Sequence, residues 1–193
     1  RSLTPDRLAD VEALFGSKGA CGGCFCQSWR HRAPQWKLRT AADNLADLRA
    51  QAQAGPPPGL IGYADGEPAA WCQIGPREAY PRILAAPSKQ PSDSRRTWCL
   101  TCFFIAREQR GQGWMTRLAQ AALEYAAGLG AECVEAYPIS GAQALPAPFA
   151  YVGHAPTLER LGFRLVEVAD KRGRTYRRYQ WSANAERPSF DLR

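Results

Sequence analysis

The order of structural signals along this 193-residue chain predicts an α/β (α+β) fold, one domain in which helices cover a mixed central sheet. Three observations predict it. The signals run α, α, β, β, β, α, β, α, β, β. Asp65-Gly66 marks a hairpin between the first two strands. The segment Thr97–Ile105, apolar on both faces, runs through a glycine-rich turn directly into a helix. The composition agrees: 45% hydrophobic residues support a packed core, and 17 Gly with 15 Pro stay well short of low complexity.

Thr4 and Pro5 are an N-cap and first-turn pair, and Leu8, Val11, Leu14 and Phe15 recur at helical spacing up to Gly16. Residues 17–39 read as irregular, with Gly22, Gly23 and Pro34 among cysteines, Trp29 and Trp36. Thr40 and Asp43 open a second helix in the capping-box pattern, Leu45 and Leu48 mark its apolar side, and Gly55 with Pro56 to Pro58 stops it. Residues 60–63 and 69–74 pair through Asp65-Gly66, both of which tolerate positive φ. Residues 76–96, rich in Pro, Ser and Arg, read as a surface excursion, and Thr97–Ile105 takes the centre of the sheet. Beyond Gly113, Leu118, Ala122, Tyr125, Ala126 and Leu129 define one helical face, closed by Gly130. A strand at 133–137 is cut off by Pro138, a short helix at 157–161 ends at Gly162, and 164–168 and 175–181 form a terminal hairpin.

No window approaches the roughly 18 consecutive apolar residues of a membrane span, and the start RSLTPDRLAD has neither a basic nor an apolar leader region, so a cytoplasmic protein is expected. Seven cysteines is an odd number, which argues against a disulfide framework. Cys21, Cys24 and Cys26 form CxxCxC, and Cys99 with Cys102 forms CxxC, which invites a zinc reading. In a regular strand residues three apart face opposite sides, so Cys99 and Cys102 are not expected to grip one ion; with only His31 and His154 besides, no metal is expected. The net charge of +7 is spread evenly. Its one cluster, Arg164, Lys171, Arg172, Arg174, Arg177 and Arg178, reads as a solvated hairpin tip rather than a nucleic-acid site, while a polyphosphate ligand would also favour a positive field.

Chemistry concentrates in FFIAREQRGQGWMTRL, where a buried strand meets Arg110-Gly111-Gln112-Gly113 and then a helix. Glycines at such a turn let main-chain N–H groups converge on an anion, and the helix N-terminus adds partial positive charge. The turn lacks the Lys-Ser/Thr of a P-loop and does not fit GxGxxG, so it reads as a phosphate cradle of another type, or as a tight helix-capping turn.

The chain resembles the GCN5-related N-acetyltransferase (GNAT) superfamily, whose acetyl-CoA motif Gln/Arg-x-x-Gly-x-Gly/Ala is represented by Arg110, Gly113 and, departing from the small residue, Met115. The likeness extends to LERLGF at 158–163 and covers nearly the whole chain. It implies one domain over 1–193, with an acceptor-side half at about 1–96 and an acetyl-CoA half at about 97–193. It further implies that main-chain groups of Phe103, Phe104 and Ile105 pair with the pantetheine arm. Arg110, Gly111, Gln112, Gly113, Trp114, Met115 and Thr116 would then surround the pyrophosphate, with Trp114 either lining the channel or anchoring the core.

The implied activity is transfer of acetyl from acetyl-CoA to a primary amine by direct attack in a ternary complex. A lysine-like amine has a pKa near ~10.4, so it must lose a proton first. Glu135, an unexpected acid between Val134 and Ala136, stands where some family members place the base. Many members use a tyrosine four residues before the late Gly as general acid; here that residue is Leu158, and Tyr151, with Tyr137 next, is the replacement. The acceptor pocket is expected from the N-terminal helices, the hairpin and residues 20–36, with Trp29, Trp36, Trp71 and Tyr80 lending aromatic character and no acidic cluster to clamp a polyamine. Whether the amine is a small molecule, a lysine or a protein terminus stays open, as does monomer against homodimer. The alternatives are a CoA-binding module with little catalysis, and a metal- or nucleic-acid-binding protein built on the cysteines and the basic hairpin.

Overall fold

The computed structural model describes residues 1–86, 89, 94–138, 151–171 and 174–183. Pro5–Arg7 is a 3-10 turn leading into α1 (Leu8–Phe15), which Gly16 ends at φ 64°. Thr4 precedes the turn, but its hydroxyl caps no main-chain amide; it accepts from Arg7 Nη1 at 2.8 Å instead. The stretch read as irregular contains a 3-10 turn at Gln27–Trp29 and a single helical turn, α2 (Ala33–Trp36). Then α3 (Ala41–Ala54) starts on a complete capping box. Thr40 Oγ1 accepts from the Asp43 N–H at 3.2 Å, and Asp43 Oδ2 accepts from the Thr40 N–H at 2.8 Å.

β1 (Gly59–Ala64) and β2 (Glu67–Pro76) form the hairpin, with Asp65 at φ 49° and Gly66 at φ 87°. The following segment departs from the surface excursion expected. A 3-10 turn, Arg77–Ala79, and α4 (Pro81–Leu84) bury Arg77, Tyr80 and Ile83 against the sheet; the Pro- and Arg-rich composition of the window masks these few inward residues. β3 (Thr97–Ile105) is central, as expected. α5 (Trp114–Gly128) ends with Gly130 at φ 83°, whose N–H bonds to the Ala127 carbonyl while that of Ala131 bonds to Ala126. Leu129, placed on the buried face from its spacing, sits in this cap and is 49% exposed. β4 (Cys133–Ala136), α6 (Ala155–Arg160), β5 (Arg164–Lys171) and β6 (Arg174–Ser182) complete the order. Of the basic hairpin tip, Arg172 and Gly173 lie outside the described residues.

The six strands run β1-β2-β3-β4-β6-β5, antiparallel except for the β3–β4 pair, whose parallel crossover is supplied by α5. Arg1 to Leu3 extend beside β1 through the Ser2↔Leu60 bridge. On one face α5 and α6 close a core of Cys72, Leu100, Phe103, Leu118, Ala122 and Phe163; on the other, α1 and α3 cover Leu3, Val11, Phe15, Leu48 and Trp71. Among the described residues no helix is long and apolar enough to cross a membrane.

One irregularity changes a prediction. Gln73 pairs with Cys102 and Ile74 with Leu100, so Thr101 is an extra residue, a bulge in β3. Alternation resets there: Trp98, Leu100 and Phe103 face α5, whereas Cys99 and Cys102 both face the other side. Contrary to the expectation from strand alternation, the bulge puts both thiols on one face. The two thiols still enter different neighbourhoods, Cys99 beside Tyr80 and Tyr137, Cys102 at 3.2 Å from Cys26 Sγ. Among the described residues no three His, Cys, Asp or Glu side chains are arranged to hold a metal ion.

Candidate active site

The turn before α5 is built by two glycines in the left-handed region, Gly111 at φ 77° and Gly113 at φ 76°, and a Cβ added at either meets nothing within 4 Å. Its outer side is therefore open. The first helical hydrogen bond runs from Arg117 N–H to the Gly113 carbonyl, and none of the main-chain N–H groups of residues 111–116 donates to a described residue. Six donors at a helix N-terminus fit an anion better than any neutral group. Side chains brace the turn: Arg110 Nε donates to the Ile105 carbonyl, Gln112 Nε2 to the Glu108 carbonyl and Arg117 Nη2 to the Gln112 carbonyl.

Trp114 and Met115 turn away from that opening. The Trp114 ring is packed so closely on Gly62 that a Cβ there would clash with it; its Nε1 donates to Gln109 Oε1, and the Arg117 guanidinium lies 3.9 Å from the ring centroid. Met115 reaches across to Phe103 and to Gly153, where an added Cβ would stand 2.6 Å from Met115 Cε. A large residue at 115 thus leaves the amides clear. Next to the turn, β4 accompanies β3 only as far as Leu100↔Ala136, so among the described residues one edge of β3 from Thr101 to Ile105 has no neighbouring strand. Phe103, Phe104 and Ile105 lie on this edge.

Glu135 lies opposite Cys99 in the β3–β4 ladder and is fully buried. Its Oε1 accepts from Arg178 Nη1 at 3.2 Å and Gln180 Nε2 at 3.0 Å; its Oε2 accepts from Arg77 Nε at 3.2 Å and the Tyr137 hydroxyl at 2.5 Å. A carboxylate offers about four lone-pair sites, and all four are engaged. Arg178 continues the chain to Glu167 at 2.9 Å. Burial, then the neighbouring Cys99 and Glu135, push the Tyr137 hydroxyl well up, so it stays protonated. Tyr151 lies against the α1–α3 core, and burial raises it likewise, with Cys102 and Arg82 nearby.

A family model described as "Acetyltransferase (GNAT) family" matches residues 25–145, more than half of the chain. The chain belongs to the GNAT acetyltransferase family. Solved structures share this GNAT fold at low identity. A ribosomal-protein-alanine N-acetyltransferase from Brucella melitensis is 17% identical, with a TM-score of 0.57 over 94% of this chain and 98% of its own. A polyamine N-acetyltransferase from Drosophila melanogaster is 10% identical, with a TM-score of 0.57 over 94% and 98%. The aminoglycoside acetyltransferase AAC(6')-Ib, in complex with coenzyme A, is 15% identical, with a TM-score of 0.55 over 96% and 94%. No curated protein matches the sequence.

Within this GNAT chain the structure gathers Arg110 through Thr116 at one opening and sets Phe103, Phe104 and Ile105 beside it. Tyr151 is near by way of Gly153, which touches Met115 and Phe103. Glu135 is the correction: its position on β4 is as expected, but a fully buried carboxylate saturated by four donors has no lone pair to offer an amine. What the sequence did not show is that Arg77, Arg178 and Gln180 converge with Tyr137 on this carboxylate. Arg77 is 58 residues away and Arg178 43, and no local pattern pairs them with a strand glutamate.

Proposed function

We propose that this chain is an N-acetyltransferase that moves an acetyl group from acetyl-CoA to a primary amine by direct attack in a ternary complex. The observation that supports the reading is the row of N–H groups at 111–116 that donate to no described residue, adjoining the edge of β3 beside which no described strand lies. These features fit the two parts of the cosubstrate: the amides and the α5 N-terminus hold the pyrophosphate, and the edge at Phe103, Phe104 and Ile105 exchanges main-chain hydrogen bonds with the pantetheine arm. When bound, acetyl-CoA supplies a thioester whose thiolate, with a thiol pKa near ~8.5, leaves without strong assistance.

Tyr151, kept protonated by burial, donates a proton to the departing sulfur. Glu135 does not take the amine proton; it neutralises Arg77 and Arg178 and fixes Tyr137 at the end of β4, so the amine loses its proton to water. The saturation of Glu135 also favours a second reading, a CoA-binding module with little catalysis.

Free thiol released from acetyl-CoA in the presence of a panel of amines separates the two. Amine-dependent release, lowered in kcat by Tyr151→Phe at unchanged acetyl-CoA affinity, supports the transferase. Stabilisation by acetyl-CoA without release to any amine supports the binding module, and absence of both removes the CoA reading.

A further inference from the structure

The face of the sheet turned away from α5 holds a group of buried donors that no described residue satisfies. Among the described residues, Trp29 Nε1, Arg30 Nε, Gln73 Nε2 and the Tyr80 hydroxyl are buried without a hydrogen-bond partner. Tyr80 and Gln73 are fully buried. The four are neighbours around the β3 bulge. The Arg30 guanidinium lies 4.9 Å from the Tyr80 ring centroid, and a Cβ built on Gly75 would stand 3.1 Å from the Tyr80 oxygen and 3.4 Å from Arg30 Nη2. Thr101, the bulged residue, lies beside the Tyr80 hydroxyl and donates its own proton to Gln73 Oε1 at 2.8 Å. Trp29 stacks on Tyr137 at 5.9 Å, which ties the group to the end of β4.

Each of these atoms can donate, so the partner they lack is an acceptor. Leaving buried donors unpaired is costly, and native proteins rarely tolerate several together unless a ligand or water supplies the acceptors.

The charges nearby point the same way. Arg30 makes no ion pair with a described residue; Arg82, whose Nε donates to the His31 carbonyl and whose guanidinium lies over Trp36, has no carboxylate partner among them either. Of the acids on this side, Asp47 is held by His31 and Arg39, Glu135 by Arg77 and Arg178, and Glu78 is exposed. Among the described residues a polycationic acceptor would find few uncommitted counter-charges here.

We infer that the acceptor is an amine that also carries an oxyanion, a carboxylate or phosphate, received by Arg30 and the Tyr80 hydroxyl at the β3 bulge. The inference rests on the transferase reading and names its substrate class. The reaction is unchanged in balance. The neutral amine nitrogen bonds to the acetyl carbon as the C–S bond breaks, the bonding pair leaves on sulfur, the thiolate takes a proton from Tyr151, and the proton shed by the amine nitrogen returns through water to Tyr151. What the oxyanion adds is orientation: anchored at the bulge, it fixes the amine beside the open edge of β3.

The test uses the full chain with acetyl-CoA and four sets of amines: amino acids, O-phosphoethanolamine, their counterparts without the oxyanion (amino-acid amides and ethanolamine), and the polycations spermidine and kanamycin. At least one oxyanion amine is expected to exceed its uncharged counterpart by about tenfold or more in kcat/KM, the scale of one charge-assisted hydrogen bond. Amino acids against O-phosphoethanolamine tells carboxylate from phosphate. Arg30→Gln should raise KM by a similar factor with kcat little changed and flatten the preference, and Arg30→Lys should restore part of it. Tyr80→Phe, which removes the hydroxyl and keeps the buried ring, should raise KM for the oxyanion amines and leave their uncharged counterparts unchanged.

Faster turnover of the polycations, or Arg30→Gln lowering all amines alike, overturns the inference while leaving the transferase reading intact. If no amine releases CoA, the transferase reading falls. Melting of the CoA complex then decides the inference separately, since no stabilisation by amino acids or O-phosphoethanolamine means that the buried donors hold water only.

Discussion

Replacing Glu135 by Gln keeps the side-chain shape and removes a carboxylate that joins β4, β6 and the Arg77 turn. In the parent, each carboxylate oxygen accepts from two donors, one of them a guanidinium. In the variant, an NH2 group replaces one oxygen and meets two donors head-on. Two hydrogen bonds are lost, and the negative charge between Arg77 and Arg178 disappears at a site sealed from water. Arg178 retains Glu167 at 2.9 Å, so Arg77 bears most of the loss. Breaking a buried pair on one side costs about 3–5 kcal/mol, and at about 2–4 °C per kcal/mol for a domain of this size the melting temperature should fall by about 6–20 °C. Below the new transition, kcat against pH should run parallel to the parent. The assay is a thermal melt together with turnover from pH 6 to 10 for both proteins. A variant that melts within a degree or two of the parent, yet loses turnover by about 10²-fold with the loss shrinking as pH rises, would mean that Glu135 is the amine base.

Thr40→Ala removes one arm of the α3 capping box and should cost about 1 kcal/mol, about 2–4 °C in a thermal melt. The main-chain hydrogen bond from Thr40, then its hydroxyl, holds the Asp43 carboxyl below its ordinary 3.8. A group depressed in the folded state stabilises above its unfolded value and loses that contribution as pH falls through the folded one, so Asp43→Asn should melt lower at neutral pH and converge with the parent below 3.8. Of the seven thiols, only exposed Cys21 should react at once with a thiol reagent at pH 8. Cys24 should follow slowly, and Cys26, Cys72, Cys99, Cys102 and Cys133 should wait for unfolding; burial pushes the Cys72 thiol up to about 12. Several fast thiols would show that the β3 bulge opens in solution.

Much of this architecture is legible because its signals are local. Thr40 with Asp43, Asp65-Gly66, Gly130 after α5 and the RGQG turn each act within a few residues, where capping and positive-φ rules operate. What is hidden depends on distant partners or broken periodicity. Nothing in TWCLTCFFI marks Thr101 as a bulge, because threonine is an ordinary strand residue, yet that one insertion puts Cys99 and Cys102 on the same side. The inward turn of Tyr80 and Ile83 is lost in a window of Pro, Ser and Arg. Glu135 is visible as an anomaly in an apolar strand, but whether a buried acid acts as base or as anchor depends on Arg77 and Arg178, which reach it only in the folded chain. Likewise, the orphaned donors around Arg30 and Tyr80 exist only as a three-dimensional deficit.

The claim on which the functional account depends is that the amides of residues 111–116 hold acetyl-CoA. Thermal melts of the parent and of Gly113→Asp against rising acetyl-CoA test it directly. At a hundredfold excess over Kd, ligand linkage stabilises the parent by about 2.7 kcal/mol, a rise of about 5–11 °C. An added Cβ at Gly113 meets nothing within 4 Å, and Asp tolerates the left-handed backbone better than most residues, so the unliganded variant should melt close to the parent. With a carboxylate placed among the six donors, the acetyl-CoA shift should vanish. An equal shift in parent and variant would place the cosubstrate elsewhere and contradict the account.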